Sequence, residues 1–224
     1  MQLTAEQQRN IDYIIAAAKQ AGIVNPLFIS GILAVVGKES GFLPKTETSY
    51  RNTSNDRIRK IFGSRISKYS DAELDALKKD DIKFFNAVYG GKYGNNTTQD
   101  GYRYRGRGFN QITYKANYLL AEKDTGENLV FQPDLLNNPQ IAAKALVGYY
   151  VRNYPSAVKS KTYPITSDLN AIKKQDTAYN IAYNINRGLH QLPVIDTTGG
   201  YKKGLDSLPV LVDYVKKKNQ PGTN

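Results

Sequence analysis

Apolar residues recur along this chain at the spacing of amphipathic α-helices. The first stripe, formed by Ile11, Ile14 and Ile15, follows Thr4 and Gln7, whose spacing is that of a capping box. Because the three isoleucines would share one face, the segment predicts a helix with one buried side.

The same periodicity predicts helices along most of the remaining chain. They are expected to begin at Pro26, Ser70, residue 80, residue 113, Pro139, Asp176 and residue 205. Two stretches are predicted as loops: residues 42–60, rich in Ser, Thr, Asn and charge, and residues 153–170, which carry two prolines. The segment Phe109–Tyr114 ("FNQITY") fits either a short strand or the start of a helix. The pattern therefore predicts a mainly α-helical protein with long loops between its helices.

Composition limits what the chain can be. With 224 residues, 40% of them hydrophobic, it is long enough for a substantial core, and we assign residues 1–218 to a single domain and 219–224 to a disordered tail. The absence of cysteine excludes thiolate metal sites, and the single histidine, His190, excludes a histidine metal cluster, so we expect no metal and no cofactor. No apolar run approaches the length of a membrane span, and the N-terminus lacks a signal-peptide pattern, so we expect neither membrane insertion nor a secretory signal.

The chain carries a formal net charge of +11. This favours a polyanionic partner such as nucleic acid, anionic lipid or a cell-wall polymer, without choosing among them. Residues 100–114, "DGYRYRGRGFNQITY", mix three arginines with glycines and aromatic residues. That combination is found in nucleic-acid-binding tracts and also in structured loops that line enzyme clefts. Because the segment occurs once, inside a helix-rich context, we favour the structured loop and expect no nucleic-acid partner.

Two carboxylates are candidates for acid–base chemistry. Glu39 continues the apolar stripe of the second predicted helix, three residues after Val36 and seven after Ile32. Desolvation on an apolar face suits a general acid, which must keep its proton near neutral pH, whereas the alternative is a solvated glutamate at a fraying helix end. Glu47 follows in the polar segment "PKTETSYRN", where a carboxylate stays ionised. An acid paired with such a base is what glycoside hydrolysis uses.

Seven short segments, taken in order, carry a family resemblance. They are "GKESGF" at 37–42, "ETSYRNT" at 47–53, "IFGSRI" at 61–66, "VYGGKYGN" at 88–95, "DGYRYRGRGFNQITYKANY" at 100–118, "PDLLNNPQIAAKAL" at 133–146 and "INRG" at 185–188. The order G-x-x-Y-R-G-R-G-x-x-Q-x-T-x-x-x-N-Y within the fifth is the most specific. Together the segments resemble glycoside hydrolase family 19, the family of chitinases and endolysin-type lysozymes, and are most similar to its short phage- or bacterial-type members.

The resemblance implies a mainly α, two-lobed, lysozyme-like fold with a deep substrate cleft. It implies hydrolysis of the β-1,4 bond between N-acetylated sugars with inversion, with Glu39 as general acid and Glu47 as general base. It further implies substrate contacts at Gln111, Thr113, Asn117 and Asn186, to which we add Tyr50, Tyr104, Arg105 and Arg187 as candidate substrate contacts. The amides and hydroxyls among these residues suit acetamido groups and sugar hydroxyls.

Some positions depart from the family pattern or allow two interpretations. Lys38 stands where many members have histidine, and a lysine beside the acid works against its role unless the lysine points away. Arg187 replaces one of the usual glycines and adds a positive contact with substrate. Arg105 and Arg107 are interpreted chiefly as braces that hold carboxylates, including Glu39, with substrate contact as the alternative.

Net charge bears on the substrate. Chitin is neutral, whereas peptidoglycan and its attached polymers are anionic, so the charge of this chain favours peptidoglycan. We therefore predict a monomeric peptidoglycan hydrolase of the lysozyme type, made in the cytoplasm and reaching the wall by lysis, holin-type release or injection. The alternatives are a chitinase on the same fold and a non-catalytic glycan-binding module of a larger particle or secretion device.

Overall fold

The structure is a computed structural model that describes residues 2–158, 166–188 and 199–220. The α-helices in these ranges are α1 (Ala5–Gln20), α2 (Pro26–Ser40), α3 (Asn55–Phe62), α4 (Asp71–Leu77), α5 (Asp81–Tyr89), α6 (Asp100–Arg103), α7 (Lys115–Thr125), α8 (Pro139–Val158), α9 (Gln175–Asn186) and α10 (Gly199–Lys218). The same ranges contain no β-strand. The mainly α-helical fold predicted from the sequence is confirmed.

The helix ends near the candidate site follow local capping rules. The predicted capping box is present, since Thr4 and Gln7 each accept a hydrogen bond from the backbone N–H of the other. The side chain of Asn25 caps α2, and Gly41 ends it in the left-handed conformation at φ 61°. This stop places Glu39 in the last turn of α2.

The hydrophobic interior forms three clusters. The first packs α1, α2, α8, α9 and α10 together, and α2 lies at its centre in contact with both α9 and α10. The second joins α3, α4 and α5 through buried rings such as Phe62 and Phe84. The third lies beneath α7, around Tyr118. The first two clusters draw on different helices, and the deep cleft expected from the family resemblance stays a prediction.

The segment 104–114 joins these clusters. Phe109 is buried in the first, Tyr114 in the second, and Tyr104 and Ile112 in the third. A single stretch of chain thus fixes the clusters relative to one another, and its turns decide where the polar side chains between them point.

Within this segment, "FNQITY" forms a tight turn, so neither alternative predicted for it is correct. Arg107 and Ile112 each donate a backbone hydrogen bond to the other, at 3.1 and 2.8 Å, as an isolated bridge. The turn between them needs left-handed backbone at Gly108, φ 81°, and at Gln111, φ 53°. Such φ values do not fit a continuous strand or helix.

The predicted loop at 42–60 is wrong at its end, because α3 begins inside it. The side chain of Ser54 accepts a hydrogen bond from a backbone N–H of the first turn. Ile58 and Phe62, four residues apart, are buried in the second cluster. Charged residues between them hide this short stripe in the sequence.

The predicted loop at 153–170 is wrong at its start, because α8 continues through Val158 with Pro155 inside it. Tyr154 is 3% exposed and packs edge-on against Phe28, at 5.5 Å between ring centroids. The free energy gained by burying the Tyr154 ring offsets the cost of the backbone hydrogen bond that Pro155 cannot donate in the last turns of α8.

Two later helices begin before the residues predicted for them. α9 starts at Gln175, so Asp176 lies in its first turn rather than at the cap, where its charge still suits the helix dipole. α10 starts at Gly199 rather than near 205, because Tyr201 packs against the rings of Tyr179 and Tyr183 on α9.

Some predicted features fall outside the described residues: Pro164, His190 and the tail residues 221–224. The assignment of 1–218 to one domain stays a prediction. Among the helices of the described part of the chain, none combines the length and apolarity needed to cross a membrane.

Candidate active site

Glu47, on the loop between α2 and α3, is held by hydrogen bonds from three residues. The Tyr50 hydroxyl donates to Oε1 at 2.9 Å, and the Tyr89 hydroxyl lies 3.0 Å from Oε1 and 3.1 Å from Oε2. The backbone N–H of Gly106 donates to Oε2 at 3.1 Å, and Glu47 returns a backbone hydrogen bond of 2.7 Å to the Gly106 carbonyl. These donors fix the orientation of a half-buried carboxylate.

The two tyrosines remain hydrogen-bond donors at neutral pH. Burial raises the pKa of the Tyr89 hydroxyl far above its ordinary value, and the neighbouring Glu47 charge raises it further. Burial, followed by Glu47, likewise raises the pKa of Tyr50. The Tyr50 ring is fixed by Phe84 and Phe62, at centroid distances of 5.3 and 5.0 Å. The Tyr50 hydroxyl is therefore directed at Glu47, and its contact with substrate stays a prediction.

Gly106 allows a close approach between Glu47 and Gln111. A Cβ atom at position 106 would lie 2.8 Å from Gln111 Oε1 and 3.3 Å from Glu47 Oε2. Gln111 Nε2 donates to the carbonyl of Lys45 at 2.8 Å, which ties the Glu47 loop to the segment 104–114. Glycine at 106 therefore brings a carboxylate and an amide together from distant parts of the sequence.

A cavity of about 290 Å³ is lined by this segment and by α7, α8 and α9. It brings together four of the predicted substrate contacts: Gln111, Thr113, Asn117 and Asn186. Thr113 Oγ1 donates to the Gln111 carbonyl at 3.0 Å, and Asn117 Nδ2 donates to the Thr113 carbonyl at 2.8 Å. The cavity therefore presents hydroxyl and amide groups in a fixed arrangement.

The lining also contains unsatisfied polar atoms and strained backbone. Asn110 Oδ1 and the Tyr114 hydroxyl are buried with no hydrogen-bond partner among the described residues. Gln111 and Tyr114 adopt positive φ angles, 53° and 74°. Each feature costs stability, about 1–3 kcal/mol for an orphaned polar group and a similar amount for strained backbone. Such costs concentrate where a protein keeps groups ready for a ligand.

Glu39 is more exposed than its place on the apolar stripe predicts. Its side chain is 41% exposed, because the last turn of α2 reaches solvent beyond Val36. Lys38 Nζ donates to Glu39 Oε1 at 2.8 Å and lies 5.2 Å from the centroid of the Tyr183 ring. The lysine therefore points toward the predicted acid. A pair this exposed contributes at most about 1 kcal/mol, so a ligand can break it at low cost.

Tyr104 and the arginines of this segment brace the fold. Tyr104 is 3% exposed and its hydroxyl donates to a backbone carbonyl, so it packs in the interior of the fold, and its contact with substrate stays a prediction. Arg105 donates to the Tyr102 carbonyl at 2.8 Å, with its guanidinium 4.0 Å from that ring centroid. Arg107 is 3% exposed and holds the carboxylate of Asp134 at 2.8 Å rather than that of Glu39.

Arg187 follows α9, with its guanidinium 5.6 Å from the Tyr183 ring centroid. It is exposed and does not line the cavity described above. Its contact with substrate stays a prediction.

Sequence reasoning missed Tyr89, Tyr114 and Asn110. Each lies inside a segment that carries the family resemblance, at 88–95 or 100–118. Their place inside these motif segments is the signal that could have identified them. The hydrogen bond of Tyr89 to Glu47 joins residues far apart along the chain, so local pattern does not reveal it.

A comparison with known proteins identifies a relative of this chain. A protein of Haemophilus influenzae, described as a glycosyl hydrolase family 19 domain-containing protein, is 31% identical to this chain over 178 residues. The alignment covers 74% of this chain and 84% of that protein, so the similarity extends over most of both. No family model matches the chain.

Proposed function

This chain belongs to glycoside hydrolase family 19, and we propose that it is a lysozyme-type peptidoglycan hydrolase. The observation that carries the proposal is the oriented Glu47 carboxylate, which is linked through Gly106 and Gln111 to a cavity of hydroxyl and amide groups. In the proposal this cavity is part of the substrate cleft. Thr113, Asn117 and Asn186 then hold the N-acetylated sugars.

The proposed reaction is a single displacement with inversion. Glu47 takes a proton from a water molecule whose oxygen attacks the anomeric carbon, on the face opposite the leaving group. As the glycosidic bond breaks, Glu39 gives its proton to the departing oxygen. One water is consumed, and both carboxyl groups regain their starting states by proton exchange with solvent.

The surroundings of Glu47 suit a base of this kind. Tyr50, Tyr89 and Gly106 fix the plane of its carboxylate, and an oriented acceptor does not have to reorganise during the reaction. These three residues therefore act as positioning residues in the proposal.

Lys38 adds a condition to the mechanism. Its ammonium group donates to Glu39 Oε1 at 2.8 Å, so Lys38 has to move aside if the glycosidic oxygen is to approach that atom. We propose that a bound sugar displaces Lys38. Because the ion pair is exposed, breaking it costs little free energy.

The substrate and setting follow from charge and chemistry. A net charge of +11 favours an anionic wall polymer over neutral chitin. In the proposal the enzyme acts as a monomer, without metal or cofactor, on the wall after lysis, holin-type release or injection.

The proposal is tested by product analysis. Wild type, Glu39→Gln and Glu47→Gln are incubated with purified peptidoglycan and with soluble chitin oligomers, and new reducing ends are identified by mass spectrometry. Glu127→Gln is the matched control, since Glu127 is also a half-buried loop glutamate and does not line this cavity.

Wild type and the control should release muropeptides, and the two site variants should lose nearly all activity. If only chitin oligomers are cleaved, peptidoglycan is refuted as the substrate. Binding without cleavage by any variant would indicate a glycan-binding module.

A further inference from the structure

The loop between α5 and α6 displays an aromatic side chain in an uncommon conformation. Tyr93 is 69% exposed, and its backbone is left-handed at φ 47°. Non-glycine residues seldom adopt this conformation, because the Cβ atom crowds the backbone. An exposed side chain recovers little of that cost by burial, so packing of the fold does not account for the arrangement.

The loop is held firmly in place. Asn95 is fully buried, and its side chain donates to the Tyr89 carbonyl at 3.0 Å and accepts from the Lys115 backbone N–H at 2.9 Å. The carbonyl of Tyr93 accepts a hydrogen bond of 3.0 Å from the backbone N–H of Ala116. These contacts tie the loop to α5 and to the start of α7, so the exposed ring stands on a fixed support.

A row of three tyrosine rings, Tyr93, Tyr114 and Tyr89, leads from the surface to the proposed base. The Tyr93 and Tyr114 rings are 4.8 Å apart at 63°, and the Tyr114 and Tyr89 rings are 5.4 Å apart at 82°. Tyr114 lines the cavity, and the hydroxyl of Tyr89 donates to Glu47. The row therefore runs from the carboxylate, past the cavity, to the protein surface.

We propose that Tyr93 is a stacking platform for a sugar ring of the glycan strand, outside the cavity and beyond the bond that is cleaved. The inference rests on the proposed function. The C–H groups on one face of a pyranose form an apolar surface that packs well on an aromatic ring, and a rigid ring loses little entropy on binding. A long polymer needs such a contact where it leaves the cavity, whereas a short oligomer that fills only the cavity does not.

The test compares Tyr93→Ala and Tyr93→Phe with wild type on oligomers of increasing length. The control is Phe131→Ala, since Phe131 is also 69% exposed but lies outside the row formed by Tyr93, Tyr114 and Tyr89. For long oligomers, Tyr93→Ala should raise KM by roughly fivefold to tenfold and change kcat less than twofold. Tyr93→Phe should keep the wild-type KM, because the ring rather than the hydroxyl provides the stacking surface.

Two results would overturn the inference. One is an unchanged KM for Tyr93→Ala at every oligomer length, and the other is an equal rise in KM for Phe131→Ala. If Tyr93→Ala has a lowered melting temperature, Tyr93→Leu replaces it, since leucine keeps apolar bulk and removes the flat ring. A wild-type KM in Tyr93→Leu would then refute stacking.

A binding measurement separates this inference from the proposed function. Titration calorimetry with the β-1,4-linked hexamer of N-acetylglucosamine is performed on Glu39→Gln, with and without Tyr93→Ala. A fivefold to tenfold weaker Kd in the double variant supports the platform even if wild type cleaves no glycan. An equal Kd rejects the platform even if wild type is an active lysozyme.

Discussion

Adding a single methyl group at position 106 tests whether Glu47, the proposed base, and the cavity depend on each other for their positions. In Gly106→Ala the new Cβ atom would lie 2.8 Å from Gln111 Oε1 and 3.3 Å from Glu47 Oε2. Ordinary van der Waals contact begins near 3.4 Å, so the amide must move by about 0.6 Å and the carboxylate by about 0.1 Å or more. The perturbation is thus aimed at two side chains of the candidate site.

The effect on stability should be small and the effect on catalysis larger. The end of the Gln111 side chain can rotate away, so we expect the free energy of unfolding to fall by about 1 kcal/mol, the net worth of one hydrogen bond. Misplacing a group of an active site by about 1 Å costs roughly a hundredfold in rate. The Gln111 amide, which lines the proposed substrate cleft, shifts by about half that distance, so kcat/KM should fall about tenfold, or by about 1.4 kcal/mol.

The assay pairs urea denaturation with initial rates on soluble peptidoglycan fragments. Gly199→Ala is the control, because a Cβ atom there would meet none of the described residues within 4 Å, and it should keep wild-type values. A Gly106→Ala protein with wild-type kcat/KM would refute the reasoning. So would a loss of activity that only mirrors a large loss of stability.

Three further predictions concern the scaffold. Arg107→Lys should lower the free energy of unfolding by about 1–3 kcal/mol in urea, because lysine cannot reproduce the bonds of the buried guanidinium to the exposed Asp134 carboxylate and to backbone. An unchanged free energy of unfolding would contradict this. Asn95→Ala should cost about 2–3 kcal/mol by the same measurement, since it leaves one buried and one partly buried backbone group unpaired, and an unchanged free energy of unfolding would reject the fixed loop. Burial raises the pKa of Tyr118 and of Tyr154 to about 12, whereas unfolded tyrosine titrates near 10, so the stability they contribute is fully present below pH 10 and is lost between pH 10 and 12. Circular dichroism and phenolate absorbance recorded together should show late ionisation that accompanies unfolding, and complete ionisation of a folded chain would contradict the burial.

The parts of the fold that the sequence predicts are those set by neighbours along the chain. The capping box at Thr4 and the stop at Gly41 depend on residues within one or two helical turns. The extension of α8 past Pro155 and the early start of α10 depend instead on where Tyr154 and Tyr201 are buried. Because tertiary packing decides where α8 ends and α10 begins, the local sequence pattern predicts the wrong end residues for these two helices.

The candidate site likewise contains some residues that the sequence predicts and some contacts that it does not reveal. The motif order points to Gln111, Thr113 and Asn117, and the structure gathers these residues around one cavity. The bond from Tyr89 to Glu47 spans 42 residues of chain, so no periodicity in the sequence reveals it. Burial of Tyr104 is equally invisible, because a motif tyrosine can face a ligand or the interior with the same spacing.

The stereochemistry of the first product tests the central claim most directly. Wild-type enzyme is mixed with soluble peptidoglycan fragments, and the anomeric proton of each new reducing end is followed by NMR before mutarotation equilibrates it. An inverting pair in which Glu47 activates water predicts that the β-linkage yields the α-anomer first. Initial formation of the β-anomer would mean retention and would contradict the roles assigned to Glu39 and Glu47.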